Sequence, residues 1–363
     1  MKILFVGQLG VGQTSRMRME ALATLGHQVI PLDTQALWQA SPWWSRKLQQ
    51  AVAVGPAIDR LNAELLALAF AHRPELVWGE KQEYLRPETL ATLKTRGARL
   101  LHFTPDPYFT LAWKRTRLTD GCLPLYDYVL NCKRYEEADY RRACRGQVIW
   151  MPLGFDERVH RPLSPAARDE RRGFRCEVGF VGGWEPRREH LLDALAKAGS
   201  DLAIWGYAWD HLVDGRWSAR RAVRLKRLAG REAFTLARNP RLGPAWRGGE
   251  VYGDRYAWAL SSASISVGFL RTICPDQHTT RTFEIPACRS LLIADRTDEH
   301  CELFEEGREA EFFASEAELL DKVQFYRTHS AAREPLIEGG YQRCWRSGYS
   351  YRERLQTVLA QLE

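Results

Sequence analysis

Short apolar runs alternate in the N-terminal part of the chain with segments whose apolar positions recur at helical spacing. A predicted helix at Thr14–Leu25 lies between the predicted strands Lys2–Gly7 and His27–Asp33. Further elements are strands at Glu75–Gly79, Arg99–Thr104, Tyr126–Asn131 and Gln147–Met151, and a helix that Pro87 begins and Gly97 ends. This alternation indicates a parallel sheet covered by helices on both faces.

A second alternation follows a predicted linker, which consists of Met151–Asp156 and the polar run Arg161–Gly173. Its predicted elements are the strands Glu177–Val181, Asp201–Gly206, Ser264–Phe269 and Leu291–Asp295, and the helix Arg187–Ala198. The last stretch, 316–361, is helical in pattern, with interruptions near Gly339 and Gly348. We therefore predict an α/β chain with two Rossmann-like, doubly wound domains. Ligands are expected at the carboxyl ends of the strands, in a deep cleft between the domains.

Composition narrows the class of protein. The chain has 363 residues, of which 45% are hydrophobic and 27% charged, as in a globular protein. No apolar stretch is long enough for a membrane span, and the N-terminus lacks the pattern of a signal peptide, so a cytoplasmic location is expected. The eight cysteines are widely spaced without any Cys-x-x-Cys pair, which favours reduced, mostly buried thiols.

The positive charge is concentrated in one segment. Arg216–Arg247 contains nine arginines and one lysine against the single acid Glu232, while the whole chain has a net charge of +7. Arg220, Arg224, Arg227 and Arg231 lie on one side of a predicted helix. Two interpretations stay open. The segment is a solvated face, or it attracts an anionic acceptor, a membrane surface or nucleic acid.

Glycines follow the first predicted strand, at positions 7, 10 and 12. Their spacing does not fit the G-x-G-x-x-G motif of dinucleotide-binding proteins. The turn needs glycine for its backbone geometry in any case. The N–H groups near Gly12 are nevertheless candidates to face a phosphate or sugar.

The second predicted domain carries the stronger candidates. Gly179–Trp184 ends a strand with paired glycines, and Arg187 and Arg188 follow at a helix start, where a diphosphate would find N–H groups and guanidinium groups. The alternative is that these arginines are merely solvated.

The densest group of polar residues is Asp276–Glu284, in which a loop with Asp276, His278 and Thr279 leads into a helix that begins with Arg281 and Glu284. A carboxylate there can accept hydrogen bonds from both ribose hydroxyls, and an arginine can neutralise a leaving diphosphate. The alternative is a helix start whose acid complements the dipole.

The stretch from Thr279 to Phe313 resembles the CgeB-like (spore-maturation) branch of the group-1 glycosyltransferases, which have the GT-B fold. Asp276 and Glu284 are separated by seven residues, similar to the family's acid-x7-Glu motif, although many members carry glutamate at the first position. The resemblance implies that Asp276 contacts the donor sugar and Glu284 the donor ribose. Gly179–Arg188 is similar to the family's diphosphate loop. The strand ends at Gly206 and Tyr252 are similar to those that line the nucleotide base.

In the first domain, Leu101–Pro107 places His102 and Asp106 at the end of a predicted strand, similar to an acidic loop of the family. Asp106 is a candidate to contact the donor sugar or to help deprotonate an acceptor hydroxyl. An Asp-Pro turn that caps the next helix is the equal alternative.

The predicted function is transfer of a sugar from a nucleotide sugar to an unidentified acceptor. The resemblance implies a retaining reaction without a bound metal or other cofactor, and no Asp-x-Asp motif occurs.

Predicted domains are 1–155 (acceptor side), 156–345 (donor side) and a tail, 346–363, that packs back on the first domain. The predicted catalytic residues are Asp106, His278 and Arg281, and the predicted donor-binding residues are Gly12, Gly182, Arg187, Gly206, Tyr252, Asp276, Thr279 and Glu284. The alternatives are a sugar-nucleotide epimerase of the same fold and a nucleic-acid-binding or DNA-modifying protein that uses the basic segment.

Overall fold

A computed structural model describes residues 1–162, 172–214 and 239–362. Most of the predicted linker run and most of the basic segment Arg216–Arg247 lie outside these residues. The chain forms two compact units. Unit 1 comprises Met1–Asp156 and Tyr351–Glu363, and unit 2 comprises Glu157–Ser350.

Unit 1 contains a six-stranded parallel sheet. The strands are β1 (Lys2–Gly7), β2 (Gln28–Asp33), β3 (Leu76–Glu80), β4 (Arg99–Phe103), β5 (Tyr128–Asn131) and β6 (Gln147–Trp150), in the order β2-β1-β3-β4-β5-β6. The helices are α1 (Thr14–Thr24), α2 (Thr34–Gln39), α3 (Trp43–Val52), α4 (Pro56–His72), α5 (Pro87–Thr95), α6 (Arg117–Cys122) and α7 (Glu137–Ala143), with 3-10 turns at Ala112–Lys114, Leu123–Leu125 and Arg134–Glu136.

Unit 2 contains a second six-stranded parallel sheet. The strands are β7 (Cys176–Val181), β8 (Leu202–Trp205), β9 (Trp246–Gly248), β10 (Ala263–Gly268), β11 (Leu291–Asp295) and β12 (Glu311–Phe313), in the order β12-β11-β10-β7-β8-β9. The helices are α8 (Pro186–Lys197), α9 (His211–Asp214), α10 (Asp254–Ser261), α11 (Arg281–Ala287), α12 (Asp298–Leu303), α13 (Glu316–Thr328) and α14 (Ser330–Arg346), with a 3-10 turn at Arg172–Phe174. The final helix, α15 (Tyr351–Leu359), belongs to unit 1.

The apolar runs form the centres of both sheets. In β1, Ile3 through Val6 are completely buried. In β11, every residue except the last, Asp295, is at most 1% exposed. Strands covered on both faces have no solvent side, which explains why their sequences are continuous apolar runs without alternation. The predicted α/β fold with two Rossmann-like domains is confirmed.

Some elements differ from the prediction. Strands β9 and β12 have only three residues each, too few for a recognisable pattern, and helices α2 and α3 were not predicted. The predicted interruption near Gly339 is wrong, because α14 continues through it and the break lies at His329. A Cβ atom on Gly339 would lie 2.2 Å from the carbonyl oxygen of Arg308, so glycine serves close packing there.

The cysteines are free thiols, and all except Cys301 are buried, as predicted. Within the described ranges, no helix combines the length and the apolar character that a membrane crossing requires.

Candidate functional site

Each sheet has a topological switch point, where the strand order reverses direction. In unit 2 it lies between β7 and β10, because β8 continues on one side of β7 and β10 on the other. Open α/β sheets bind ligands outside the carboxyl ends of the strands at such a point. Two loops leave the sheet here, 182–185 after β7 and 269–280 after β10, which we call the switch loops.

Gly182 and Gly206 meet at the carboxyl ends of β7 and β8. The Gly182 N–H donates to the carbonyl of Trp205 at 2.9 Å, and the Trp209 indole N–H donates to the Gly182 carbonyl at 2.9 Å. Gly206 has a φ of +145°, and a Cβ atom on it would lie 2.0 Å from the Gly182 carbonyl oxygen. No larger residue fits at position 206. The structure therefore brings these two predicted donor-site glycines together.

Arg187 lies in the first turn of α8 and forms a two-pronged ion pair with Asp295 at the end of β11. The same carboxylate accepts a hydrogen bond of 2.7 Å from the Leu270 N–H, in the second switch loop. The Arg187 side chain remains 38% exposed. Its charge is therefore partly offset by Asp295, while part of the guanidinium reaches solvent.

Arg188 has a different environment from Arg187. It is buried and donates to the carbonyls of Gly183 at 2.9 Å and Phe269 at 3.1 Å, so it connects the two switch loops. Burial holds the pKa of its guanidinium below the usual value, although Glu185 opposes that shift. The sequence pattern treated the two arginines alike, and only the fold separates their environments.

Arg281 begins α11 and extends toward the end of β7. Its Nε donates to the Val181 carbonyl at 3.2 Å, and its guanidinium carbon lies 5.5 Å from the centre of the Tyr256 ring. Nη1 is 3.7 Å from the Glu284 carboxylate, and the side chain is 36% exposed. Arg281 is thus a partly exposed cation at the switch point.

Glu284 is almost completely buried in α11. One carboxylate oxygen accepts a hydrogen bond from the Tyr256 hydroxyl, and the other lies 3.5 Å from Nε2 of the buried His160. Tyr256 is in α10, and burial raises the pKa of its hydroxyl well above the usual value. Tyr256 was not identified from the sequence, because no local pattern relates it to a residue 28 positions away.

Asp276 and His278 lie in the second switch loop, with side chains turned into the protein. Asp276 accepts hydrogen bonds of 2.9 and 2.8 Å from Arg271. His278 pairs through Nδ1 with Glu299 and packs edge-on against Phe283, with ring centres 5.7 Å apart. Both are nearly inaccessible to solvent, so they hold the loop in place in this structure.

Thr279 and Tyr252 lie at the edges of this region. The Thr279 N–H donates to the Thr282 hydroxyl at 3.1 Å, which closes the turn into α11. Tyr252 is 40% exposed. It comes three residues after Gly249, whose carbonyl accepts a hydrogen bond of 3.1 Å from the Gly206 N–H. Burial, together with Glu250, raises the pKa of the Tyr252 hydroxyl.

The two remaining predicted residues lie in unit 1. Gly12 follows β1 and has a φ of +78°, at the switch point between β1 and β3. Asp106 follows β4 and forms an ion pair of 3.2 Å with Lys114, which lies 3.3 Å from Glu83. Burial alone would lower the pKa of Lys114, but the two carboxylates raise it.

His102 lines the same small pocket as Asp106 and is completely buried. Neither of its ring nitrogens has a hydrogen-bond partner, and burial lowers its pKa to about 4. It is therefore a neutral imidazole near pH 7. No group of three or more His, Cys, Asp or Glu side chains suited to a metal ion occurs among the residues that the structure describes.

Solved structures share the fold over almost the whole chain. Sucrose-phosphate synthase from Thermosynechococcus elongatus matches with a TM-score of 0.67 and 16% identity, over 99% of this chain and 98% of that chain. HepE from Anabaena, in complex with UDP-glucose, matches with a TM-score of 0.62 and 14% identity, over 100% and 99%. A glycosyltransferase from Rickettsia africae gives 0.57 and 14%, over 99% and 97%. This likeness shows that the chain has the GT-B fold.

A family model described as "Glycosyl transferase-like" matches residues 187–360, slightly less than half of the chain. The matched region begins at Arg187 and includes the second switch loop and α11. A search of curated protein sequences finds no match.

Proposed function

We propose that this protein is a glycosyltransferase that moves a sugar from a nucleoside diphosphate sugar to an acceptor. One observation carries the proposal. The region that matches the glycosyl transferase model contains the switch point of the unit 2 sheet, where Arg281 and Glu284 lie within 3.7 Å of each other. A ribose needs a hydrogen-bond acceptor and a diphosphate needs a cation, and these two side chains supply that pair.

In this proposal Glu284 binds the donor ribose. Each carboxylate oxygen has two lone-pair sites. Tyr256 occupies one of these sites, so the carboxylate retains acceptor capacity for ribose hydroxyls. Tyr256 and His160 hold the carboxylate in one orientation, which lowers the entropy cost of binding.

Arg281 stabilises the leaving diphosphate. A preoriented cation at the point where negative charge develops lowers the barrier without reorganisation. Its hydrogen bond to the Val181 carbonyl fixes it beside Gly182. Arg187, partly offset by Asp295, adds a weaker positive field.

We further propose that the reaction retains the anomeric configuration, needs no metal, and belongs to the CgeB-like branch. The support for these finer assignments is the acid-x7-Glu spacing of Asp276 and Glu284 and the family match over 187–360. The contact of Asp276 with the donor sugar, and the catalytic roles of Asp106 and His278, stay predictions. The buried positions of Asp276 and His278 fit residues that position the loop.

The test is a thermal-shift screen of the full chain against nucleoside diphosphates and nucleotide sugars, each with and without EDTA. A ligand that binds only the folded state raises the melting temperature, by an amount equivalent to about 2.7 kcal/mol at a hundredfold excess over Kd. We expect a shift with the cognate nucleotide that persists in EDTA. Absence of a shift with every nucleotide would overturn the proposal.

Product analysis then separates the alternatives. An epimerase converts the donor sugar without an acceptor, whereas a transferase releases the nucleoside diphosphate and forms a new glycoside. Retention or inversion follows from the anomeric configuration of that glycoside.

A further inference from the structure

Helix α3 exposes an unusually apolar surface. Trp43, Trp44 and Leu48 are 57%, 61% and 60% exposed, and Val52 and Val54 continue the strip. These are five of the twelve large apolar side chains that are exposed within the described residues, and they fall within one short segment of unit 1. Such concentration on a surface is a mark of an interaction site.

The helix is inverted relative to an ordinary surface helix. Trp44, Leu48 and Val52 follow one another at steps of four and therefore share its outer side. The inner side carries Gln49, which is buried and accepts a hydrogen bond of 2.8 Å from the Ala57 N–H. A surface helix normally packs its apolar stripe inward. Here the polar side faces the protein and the apolar side faces out.

A polar cavity explains why the inner side is polar. It has a volume of about 370 Å³ and lies between α3, α2 and the loop after β1. Five glutamines and Trp38 line it, and so do Trp43, Arg46 and Lys47 of α3. Rotating α3 to bury Trp44, Leu48 and Val52 would bring their apolar side chains against these amides, which would lose hydrogen bonding. The outward orientation of the apolar side is therefore built into unit 1.

The segment of chain that contains α3 carries charge of one sign. Between Asp33 and Asp59 the chain contains no acidic residue, whereas α3 contains Arg46 and Lys47. Lys47 is exposed and lies one turn from Trp43 on the helix. An apolar strip with tryptophans beside basic residues matches the lipid–water interface of an anionic bilayer.

We propose that unit 1 binds to the surface of an anionic lipid bilayer through α3, with Trp43, Trp44, Leu48 and Val52 entering the headgroup region. Lys47 contributes by attraction to the negative surface potential. This inference goes beyond the proposed function and does not depend on it, since it involves neither the donor nor the acceptor.

The experiment is co-sedimentation of the full chain with vesicles of phosphatidylcholine alone or of phosphatidylcholine mixed with phosphatidylglycerol. The parent protein should bind the mixed vesicles much more strongly. Trp44→Ser combined with Leu48→Ser should lower its partition coefficient by at least about tenfold, because two apolar side chains no longer enter the lipid. Lys47→Gln should lower it by about fivefold, on the mixed vesicles only.

The matched control is Trp113→Ser, which removes a tryptophan of unit 1 that is 46% exposed and lies outside α3. It should bind vesicles like the parent. Failure of the parent to bind, or an equal loss in the Trp113→Ser protein, would overturn the proposal. So would a parent dimer that the double α3 variant converts to monomers, because the surface would then join two copies of the chain.

The nucleotide thermal shift provides the independent readout. The α3 variants should keep the melting temperature and nucleotide shift of the parent, since all substituted side chains are at the surface of unit 1. Loss of vesicle binding with an intact nucleotide shift assigns the effect to α3 and leaves the proposed function standing.

Discussion

At the scale of single residues, the proposed donor site centres on Glu284 and its neighbours. A buried carboxylate is costly unless it is hydrogen-bonded. Tyr256 supplies that hydrogen bond, and His160 and Arg281 lie within 3.7 Å. The carboxylate is therefore preorganised on α11.

We predict that Glu284→Gln weakens nucleoside diphosphate binding by about 1.5 to 3 kcal/mol, or roughly tenfold to a hundredfold, because hydrogen bonds to a charged acceptor are lost. Isothermal titration calorimetry measures this directly. The fold should persist, since the amide oxygen can still accept from Tyr256. Tyr256→Phe, which leaves the carboxylate charged, should cost less affinity. Unchanged affinity in the Glu284→Gln protein would contradict the ribose assignment.

At the scale of elements, the end of β11 holds the surrounding elements in place. Asp295 lies at the end of β11, receives the Arg187 guanidinium from α8, and accepts the Leu270 N–H from the second switch loop. One carboxylate thus fixes three elements around the switch point. Its side chain is only 13% exposed, so solvent competes weakly for these bonds.

We predict that Asp295→Asn lowers the free energy of unfolding by about 1 to 3 kcal/mol, because the charge that Arg187 pairs with is lost. The matched control is Glu338→Gln, which removes the acid of the exposed Arg289–Glu338 pair. Exposed pairs contribute about 0 to 1 kcal/mol. Urea denaturation of both variants gives the comparison. Equal effects would mean that the Asp295 pair is no more than a surface contact.

At the scale of the whole molecule, each unit contains a buried neutral histidine. Burial lowers the pKa of His102 in unit 1 to about 4 and that of His300 in unit 2 to about 4. His300 donates through Nδ1 to the Asp295 carbonyl at 2.6 Å, and its Nε2 lies 2.9 Å from the Thr282 hydroxyl, from which the neutral ring accepts. His102 has no such partner in the structure.

Acid should therefore destabilise both units. An unfolded histidine takes up its proton near pH 6.5 and the folded ones near pH 4, so between these values the unfolded state binds more protons. The free energy of unfolding is highest above pH 6.5 and falls as the pH drops toward 4, by up to about 3 kcal/mol for each histidine.

His102→Leu should make the stability depend less on pH. His329→Gln, at an exposed histidine, is the control. The measurement is the urea midpoint of each variant at pH 7.5 and pH 5. An equal change of the midpoint between these pH values in both variants would contradict the prediction.

The sequence by itself determined the local elements and the α/β class. Strands such as β1 and β11 were predictable because a parallel strand buried on both faces must be apolar throughout. The turn into α11 was predictable for a similar reason, since Asp276–Glu284 concentrates polar residues directly before a helix. The pattern of the chain also placed most candidate donor residues after the strands where ligands bind in this class of fold.

Only the tertiary structure decided which side chains neutralise each other. Arg187 pairs with Asp295, 108 residues away, because the sheet order brings the segments that follow β7 and β11 to one edge. Glu284 accepts a hydrogen bond from Tyr256 of α10, 28 residues earlier in the chain. The same applies to α3, which was not predicted from the sequence and whose exposed side depends on the fold. Arg46 and Gln50 of this helix line a polar cavity, whereas Trp44, Leu48 and Val52 are exposed. Periodicity is a local property of the chain, whereas charge pairing and exposure depend on which distant segments the fold places together.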